Sequence, residues 1–577
     1  MTRRAKPSKN VAKQSATPSH NATLHPPPSR TDTGSTEKSP KSVLATLTDA
    51  KVQRALQLIL LAALYAPISQ LNLSPVYGEI PAALYHRYGL TASFMVAFAL
   101  RGYLPPWASR LITPFCFWIP GIQFFLFRFS STLGNPLGPM ITELLTCYPL
   151  VLLSIYYAIQ YLNEITTFSE SRSSLGEAVP SMGLFMLFSV LHRACKVFIS
   201  SLLGHGFLTS RIGMQLIVAS LYGMVLQNSI LWPSLPAVAF TMVANPHCTL
   251  SRTTEVLNHT LALYDYTLLE RKESITGYIS VLEDNQRGFR VMRCDHSLLG
   301  GEWKLPPQRR VQRKVADPIY SIFVMLEAVR LVEGASPSPH KTALNIGLGI
   351  GTAPSALIHH GVNTTVMELD PVVHEFAIKY FDFPHNHSYY IGNAIHAVTA
   401  ATSTEANSYD YIIHDVFTGG AEPVELFTTE FLSGVHRLLK PDGVIAINYA
   451  GDLAMPTSSL IYRTIISVFP SCRVFREDEA PAPGVKRDDF TNMVFFCRKR
   501  KGAIKFRKPV AADFLGSGAR QEFLVPKHEI DQSEFNTEGA VLRSGETKEL
   551  EKWQAKSALG HWRVMRTVLP DVIWENW

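Results

Sequence analysis

An apolar run that ends in three alternating glycines constrains the fold of this chain more than any other feature. Residues 343–351 read Ala-Leu-Asn-Ile-Gly-Leu-Gly-Ile-Gly, and the next apolar run ends at Glu368. A strand that enters a glycine-rich turn lets the backbone approach a ligand, and the following strand presents a carboxylate to ribose hydroxyls. The pattern therefore predicts a nucleotide-type cofactor pocket in the C-terminal half.

The sequence around this turn alternates between strand-like and helix-like runs. Such alternation predicts an α/β, Rossmann-like domain with a mostly parallel sheet and helices on both faces. Upstream, 278–283 and 289–293 alternate apolar and polar residues around a turn-like 284–288, which predicts a β-hairpin, and Pro318 to Val332 favours a helix. The strand-like runs are 343–347, 363–369, 388–391, 409–414, 442–448 and 492–497.

The N-terminal half is apolar and aromatic. Charged residues are 18% of the whole chain, below the roughly 25% of globular proteins, and few of them fall between residues 52 and 245. Several stretches there approach the ~20 residues that a bilayer helix needs, which favours a transmembrane helical bundle over the buried core of a soluble domain. The candidate spans lie near 55–75, 88–104, 111–129, 138–162, 181–204 and 212–232, with a short seventh at 233–244.

The orientation of these spans follows from the basic residues that flank them. Residues 1–48 are rich in Ser, Thr, Pro and Lys, which predicts disorder, and a plain basic tail is favoured over a mitochondrial transit peptide. Up to Asp49 the chain carries eight Lys or Arg against three acids, and Arg101 and Arg110 flank a loop on the same side. Six spans would place both this tail and the C-terminal half in the cytosol, as part of a multi-pass membrane protein.

These patterns divide the chain into five segments with different expected structures. They are a disordered basic tail (1–50), a transmembrane helical region of about six spans (51–245), a small β subdomain (255–315), a Rossmann-like transferase domain (316–510) and a C-terminal extension (511–577).

Three ionisable residues fall in the middle of the fifth candidate span. His192 and Lys196 share a helix face, with Arg193 beside them. Ionisable groups at bilayer depth are costly and often functional, so the cluster suggests a transporter. The alternatives are that the side chains reach the membrane surface or pair with Glu143 of the fourth span.

The cysteines are scattered along the chain. The seven cysteines include no C-x-x-C pair, which argues against a zinc site or a disulfide framework and fits a reducing compartment. No aromatic stacking platform accompanies the basic run at 498–508, so we expect no nucleic-acid partner.

Four loops leave the carboxyl ends of successive predicted strands, where open α/β sheets bind ligands. Because strand-end acids and Gly-x-Gly turns are individually common, the prediction depends on all four occurring at regular spacing. The loops carry Gly347, Gly349 and Gly351; Glu368 and Asp370; Asn393; and Asp415.

With these motifs the sequence resembles the S-adenosylmethionine-dependent methyltransferases, and within them most closely the spermidine synthases. The resemblance covers about residues 270–500, under half of the chain. It is carried by 276–283, 347–351, 367–371, 392–394, 409–415 and 421–427.

The resemblance implies a role for each matching residue. Gly347 and Gly349 would lie against the methionine portion of the donor, Glu368 would hold the ribose, and Asn393 would face the adenine. Gly351 and Asp370 would also belong to the cofactor-binding site. Asp415 would bind beside the donor and accept a proton from the attacking amine, and Tyr320 and Glu422 would contact the substrate. The donor would be S-adenosylmethionine or its decarboxylated form, without a metal.

The chain departs from the family mainly in the residues that would bind the amine substrate. The family usually has Asp where this chain has Asn393, a second acid after Asp415, and Tyr-His-Glu where this chain has Tyr320-Ser-Ile322. The residues that are missing here would normally bind a diamine, which is a dication. Glu422 and Glu425 would compensate for their loss only in part.

The sequence thus leaves three functions open. The first is a membrane-anchored transferase that aminopropylates or methylates a small polyamine or a protein amine, as a monomer or a homodimer. The second is a non-catalytic sensor or scaffold that binds a nucleoside or polyamine. The third is a transporter with an appended transferase-like domain.

Overall fold

A computed structural model describes residues 49–166, 174–227, 231–306, 315–334, 340–416, 423–480 and 490–577. The tail predicted to be disordered and the predicted substrate residue Glu422 lie outside these ranges. Residues Ala50–Trp577 form one compact unit. It contains a helical region, a small antiparallel sheet, a large mixed sheet and a C-terminal extension.

The helical region is a bundle around a shared apolar core. Its helices are apolar on nearly all sides, which is typical of helices within a bundle or a bilayer. They are α1 (Ala50–Tyr77), α2 (Glu79–Ala83), α3 (His86–Ala99), α4 (Ile112–Phe127), α5 (Ser130–Leu133), α6 (Leu137–Leu145), α7 (Cys147–Thr166), α8 (Ser174–Leu202), α9 (Arg211–Leu226) and α10 (Leu235–Val243).

Four stretches of the described helices are long and apolar enough to cross a bilayer. They are Ala50–Tyr77, Pro106–Phe127, Leu137–Glu164 and Met182–Leu202. Arg211–Leu226 and Trp232–Val243 are apolar but shorter.

Glu143, the alternative partner predicted for the His192 cluster, is a buried carboxylate that bonds to other residues. Glu143 is 1% exposed and accepts hydrogen bonds from the Tyr148 hydroxyl at 2.7 Å and the Gln70 amide at 2.8 Å. Its other close partner is His86 Nδ1 at 2.7 Å, and the His192 ring lies 5.8 Å from the His86 ring. Glu143 thus has its polar partners on neighbouring helices, and His192 packs against this network.

The C-terminal end of α1 joins the helical region to the rest of the molecule. Pro75 lacks an N–H group, so the Leu71 carbonyl loses its normal partner within the helix. The Arg211 guanidinium donates to that carbonyl at 2.7 Å, and Trp562 Nε1 donates to the carbonyl of Val76 at 3.0 Å. Carbonyls that the helix leaves unpaired thus receive donors from α9 and from the C-terminal extension.

The small sheet follows helix α11 (Ser251–Ala262) and has the order β1-β2-β3-β4. The predicted hairpin is confirmed, because β2 and β3 pair antiparallel around the 285–288 turn. Arg211 also donates to Glu273 of β1, which fixes this sheet to the helical region. The strands are β1 (Tyr266–Ser274), β2 (Gly277–Asp284), β3 (Phe289–Cys294) and β4 (Ser297–Trp303).

The large sheet has the order β12-β10-β11-β9-β8-β5-β6-β7. The five strands from β9 to β7 are parallel, which confirms the predicted Rossmann-like core. The strands are β5 (Thr342–Ile346), β6 (Asn363–Glu368), β7 (Ser388–Ile391), β8 (Tyr409–His414), β9 (Leu439–Asp452), β10 (Ser471–Arg476), β11 (Phe490–Arg498) and β12 (His528–Ile530).

Helices cover the large sheet as the alternation predicted. The predicted helix at 318–332 is shorter, with α12 at Ile322–Leu326 followed by a 3₁₀ turn. The others are α13 (Thr352–His359), α14 (Pro371–Tyr380), α15 (Ala394–Thr404), α16 (Thr429–Leu438), α17 (Pro456–Val468), α18 (Gly518–Phe523), α19 (Lys548–Val568) and α20 (Asp571–Glu575).

The expectation that the cysteines form no disulfide is wrong for two strands at the edge of the sheet beyond β9. Strand β11 runs antiparallel between β9 and β10, and its Cys497 lies directly opposite Cys472 of β10. The two cysteines form a disulfide. They are 25 residues apart in sequence, so the spacing alone gave no sign that a hairpin would place them side by side.

The C-terminal extension is part of the core. Trp577 is fully buried and stacks on His247 with ring centroids 4.9 Å apart. Arg293, 1% exposed, donates to the carbonyls of Asp295, Ile573, Asn576 and Pro75. One buried guanidinium therefore links β3, the C-terminal extension and α1.

We expect Arg293→Met to reduce the free energy of unfolding by at least ~3 kcal/mol, because the substitution leaves four buried carbonyl oxygens without their donor. The matched control is Arg287→Met, because the Arg287 side chain is 52% exposed and pairs with Asp284 in a turn, where an ion pair contributes ~1 kcal/mol or less. Thermal melting of the detergent-solubilised chain compares the two variants. Equal melting temperatures would contradict the structural role of Arg293.

Candidate active site

A cavity of about 990 Å³ opens at the carboxyl ends of β5, β6, β7 and β8. This is where parallel α/β sheets bind ligands, and the volume is at the upper end of the range for small-molecule sites. Its polar or glycine lining residues are Glu79, Thr276, Tyr320, Gly347, Gly349, Glu368, Gly392, Asn393, Asp415, Glu425, Glu477, Asp478, Thr491, Asn492, Asn448, Thr547, Glu551 and His561.

The glycine turn after β5 brings the main chain against neighbouring backbone. Gly347 has φ +84°, and a Cβ there would lie 2.0 Å from the carbonyl oxygen of Asp415. Gly349 has φ +56°, and a Cβ there would lie 2.5 Å from the carbonyl oxygen of Leu299. Only glycine fits at these two positions, and both line the cavity.

Gly351 has a different role from the one expected for it. It does not line the cavity, and a Cβ there would lie 2.5 Å from the Phe383 ring. Gly351 therefore serves the packing of the turn at the start of α13.

Glu368 lies at the end of β6 and lines the cavity. Its two carboxylate oxygens accept from the backbone N–H groups of Leu348 at 2.8 Å and Asp370 at 2.9 Å. Burial raises the pKa of Glu368, and these two N–H groups oppose that effect by favouring the charged form. The carboxylate is thereby held beside the glycine turn with lone pairs left for ribose hydroxyls.

Asp370 is not part of the cavity, contrary to the expectation for it. The residue is fully buried and caps α14 by accepting from Val372 N at 2.8 Å. Its carboxylate also accepts from the hydroxyls of Ser274 at 2.7 Å and Thr276 at 2.5 Å. Asp370 therefore joins the small sheet to the large one, a role that its position after a strand did not reveal.

Asn393 lines the cavity and is exposed, as a residue facing an adenine would be. Its side-chain oxygen caps α15 by accepting from Ile395 N at 2.8 Å. The side-chain NH₂ group is the donor that Asn393 offers to a ligand, and an aspartate would lack it.

Asp415 follows β8 and is half-buried at the cavity wall. Asn448 Nδ2 donates to Asp415 Oδ1 at 2.8 Å. Burial raises the pKa of the Asp415 carboxyl to about 6, and the Asn448 N–H opposes the shift. The group is thus a carboxylate at neutral pH whose proton affinity exceeds that of a solvated aspartate, as a general base requires.

Asn448 was missed by the sequence prediction, although it ends the predicted strand 442–448. It is 5% exposed, and its side-chain oxygen has no hydrogen-bond partner among the described residues. Because that oxygen lies in the cavity wall beside Asp415, it is placed to accept a hydrogen bond from a ligand.

Tyr320 lines the cavity, and its hydroxyl is buried without a hydrogen-bond partner in the described structure. Burial raises the pKa of Tyr320, so the hydroxyl is a neutral donor. Glu477, which lines the cavity beside it, accepts from Ile322 N at 2.9 Å and from the Asn492 amide at 2.6 Å. These bonds hold the Tyr320 segment against the sheet.

The far wall of the cavity comes from parts of the chain to which the sequence assigned no site. Glu79 lies at the start of α2 in the helical region, and Glu551 and His561 lie on α19 of the C-terminal extension. Burial lowers the pKa of His561 to about 4, so its imidazole is neutral at physiological pH. No motif marks these residues, because only the docking of α19 brings them to the cavity.

The fold and this cavity define a spermidine-synthase-like transferase of the S-adenosylmethionine-dependent class. Residues 324–474 match the family model of the spermine/spermidine synthase domain. An N-terminal histidine N-methyltransferase from Emericella nidulans is 46% identical over 540 residues, which covers 90% of this chain and 96% of that enzyme. The chain belongs to the family of that enzyme.

Two further relatives match a smaller share of the chain. A polyamine aminopropyltransferase from Vibrio vulnificus is 29% identical over 197 residues, covering 33% of this chain and 60% of that protein. The crystal structure of a probable spermidine synthase from Corynebacterium glutamicum is 18% identical, with a TM-score of 0.36, and covers 47% of this chain and 96% of that chain.

We expect Gly347→Ala to weaken S-adenosylmethionine binding at least ~100-fold, because its Cβ would displace the end of β8 that carries Asp415. Gly361→Ala is the matched control, since Gly361 also has a positive φ of +76° but has no atom within 4 Å of its added Cβ. Both substitutions place a side chain at a positive φ, which adds the same ~1–2 kcal/mol of backbone strain. Isothermal calorimetry that gave both variants the same dissociation constant would contradict the close approach.

Proposed function

We propose that this protein is a membrane-embedded methyltransferase that uses S-adenosylmethionine to methylate the α-amino nitrogen of polypeptides that begin with histidine. The observation that carries N-terminal histidine as the acceptor residue is the 46% identity to an N-terminal histidine N-methyltransferase along 90% of the chain. The aminopropyltransferase relatives match 33% of the chain or less.

The acceptor side of the cavity favours a polypeptide N-terminus over a polyamine. Both oxygens of Glu477 already accept hydrogen bonds from the protein, so this carboxylate is poorly placed to bind a distal ammonium group. The cavity instead has an acidic rim that includes Glu79, Asp478 and Glu551, all three of them outside the residues that match the family model. Such a rim attracts a cationic N-terminus and accommodates the chain that follows it.

The reaction requires alignment and one proton acceptor. The acceptor nitrogen forms a bond to the methyl carbon while the carbon–sulfur bond breaks, and the electron pair of that bond stays on sulfur. The sulfonium of the donor supplies an activated methyl group. The protein therefore has to orient an unprotonated amine and remove the proton that becomes acidic on methylation.

Asp415 and Asn448 are placed to perform both tasks. The Asp415 carboxylate accepts one N–H of the amine and then its proton, since burial gives it a pKa of about 6. The partnerless oxygen of Asn448 accepts a second N–H. Two acceptors on one wall suit an α-amine, which has two N–H groups to donate and keeps its lone pair for the donor carbon.

The helical region supports membrane embedding. Four helices have the required length and apolarity, and large apolar side chains face outward, among them Trp232 at 74%, Val197 at 73% and Met95 at 70% exposure. Exposed apolar surface on this scale marks a membrane or partner surface.

A direct test uses the full chain in detergent with labelled S-adenosylmethionine and a synthetic peptide that begins with histidine. We expect mass spectrometry to show a 14 Da increase on the N-terminal residue. The N-acetylated peptide and putrescine are the matched controls and should remain unmodified. Transfer to putrescine, or to the acetylated peptide, would contradict the proposed acceptor.

We expect Asp415→Asn to lower kcat by about 10²- to 10⁴-fold, the usual contribution of a general base. The amide keeps a similar shape and still pairs with Asn448, so calorimetry should show that donor binding is retained. Loss of donor binding together with activity would assign Asp415 to the donor site instead of proton transfer.

The pH profile follows from the same carboxylate. Below about pH 6 Asp415 becomes protonated, and the acceptor α-amine, with a pKa near 7.7–8.0, must also lose its proton. The logarithm of kcat/KM should therefore rise with a slope of about 2 below pH 6 and about 1 from there to pH 8.

Asn448→Ala removes an N–H group that stabilises the charged carboxylate, so the lower break should move to higher pH. Asp415→Asn should lose this break and keep a slope of about 1 throughout. An unchanged break in both variants would show that another group titrates.

A further inference from the structure

Helix α1 has its two ends at opposite ends of the helical region. Its C-terminal end is bonded to the transferase part, through Arg293 to Pro75 and through Trp562 to Val76. The helix has 28 residues, and at about 1.5 Å per residue it is about 42 Å long. This length exceeds the ~30 Å hydrocarbon core of a bilayer.

At the N-terminal end of α1, Lys51 and Arg54 have partners in the helical region. Lys51 pairs with Glu164 at 2.8 Å, near the C-terminal end of α7. Arg54 donates to Gln227 at 2.9 Å, directly after α9.

Helix α9 runs in the opposite direction to α1. It also has one end at the transferase part and the other end away from it. Its first residue, Arg211, donates to Glu273 and Asp295 of the small sheet. Its C-terminal end is at Gln227, the partner of Arg54. The two helices thus agree in placing one end of the bundle at the transferase part and the other end away from it.

Basic residues accumulate at the end away from the transferase part. Lys51 and Arg54 lie there, and the sequence before Asp49 carries eight Lys or Arg. The loop with Arg101 and Arg110 lies at the same end, because the Tyr157 hydroxyl in the second half of α7 donates to Pro105 O. Basic residues next to membrane spans face the cytosol.

A disulfide in the transferase part is separate evidence that this part lies on the non-cytosolic side. Cys472 and Cys497 form a disulfide between paired strands. Disulfides persist in the secretory lumen and outside the cell and are rare in the cytosol.

We propose that the transferase cavity opens on the non-cytosolic side of the membrane, so that its acceptors are polypeptides that have already crossed it. This inference rests on the membrane embedding and the acceptor proposed above. It does not depend on the number of spans, since α1 alone connects the basic end to the transferase end. It replaces the cytosolic placement expected from an even span count.

The chemistry of the acceptor indicates which class of reaction must precede the methyl transfer. Translation begins with methionine, so a polypeptide acquires an N-terminal histidine only when a peptidase removes the residues before it. On the non-cytosolic side, removal of a signal peptide is such a reaction. A peptidase that cleaves translocated chains therefore supplies the substrate of this enzyme.

Protease protection in sealed microsomes from cells that express the full chain tests the placement. An epitope inserted in the exposed 285–288 turn between β2 and β3 marks the transferase part. We expect the epitope fragment to survive protease in sealed vesicles and to be digested after detergent is added. Digestion in sealed vesicles would overturn the inference.

Two of the five Asn-x-Ser/Thr sequons in the chain provide a second readout without any insertion. Asn386-His-Ser388 lies in an exposed loop of the transferase part, and Asn21-Ala-Thr23 precedes α1. A glycosidase-sensitive mass shift that disappears in Asn386→Gln supports the inference, and one that disappears in Asn21→Gln overturns it. Glu538→Thr creates a further sequon at exposed Asn536 and should add a second shift.

The failure of the proposed function is distinguishable from the failure of this inference. Release of the chain from membranes by alkaline carbonate would refute membrane embedding itself. Cleavage in sealed vesicles of a carbonate-resistant chain would refute only the orientation. Neither readout depends on methyl transfer.

Discussion

The C-terminal end of helix α1 forms buried hydrogen bonds with three other segments of the chain. Pro75 and the helix end leave the carbonyls of Leu71, Pro75 and Val76 without a backbone N–H partner in the helix, and an unpaired buried carbonyl costs ~1–3 kcal/mol. Arg211, Arg293 and Trp562 satisfy them from three different segments. The helical region, the small sheet and the C-terminal extension therefore share one set of buried hydrogen bonds.

This arrangement explains why the two halves of the active site have different origins. The donor half is built by strand ends, with Glu368 locked to the glycine turn and Asp415 pressed against Gly347. The acceptor half takes Glu79 from the helical region and His561 from α19. Because α19 is bonded to α1, the helical region and this wall are fixed relative to each other, which fits the proposed acceptor, a chain delivered through a membrane.

The sequence predicted what depends on local pattern. The parallel core, the β2–β3 hairpin and the glycine turn follow from periodicity and turn chemistry, and Glu368, Asn393 and Asp415 all reach the cavity. It could not separate Asp370 from Glu368, because a helix cap and a ligand-binding acid look alike at a strand end. Asn448, His561 and the Cys472–Cys497 pair were missed because tertiary packing alone gives them their neighbours.

The central claim is that the cavity serves methyl transfer although its core belongs to the spermine/spermidine synthase family. The two donors differ by one carboxylate, so their relative affinity reports which reaction the site has been built for. We expect calorimetry of the full chain in detergent to show S-adenosylmethionine binding at least ~10-fold more tightly than its decarboxylated form, a difference of ~1.4 kcal/mol. Tighter binding of the decarboxylated donor would contradict the claim and assign the protein to aminopropyl transfer.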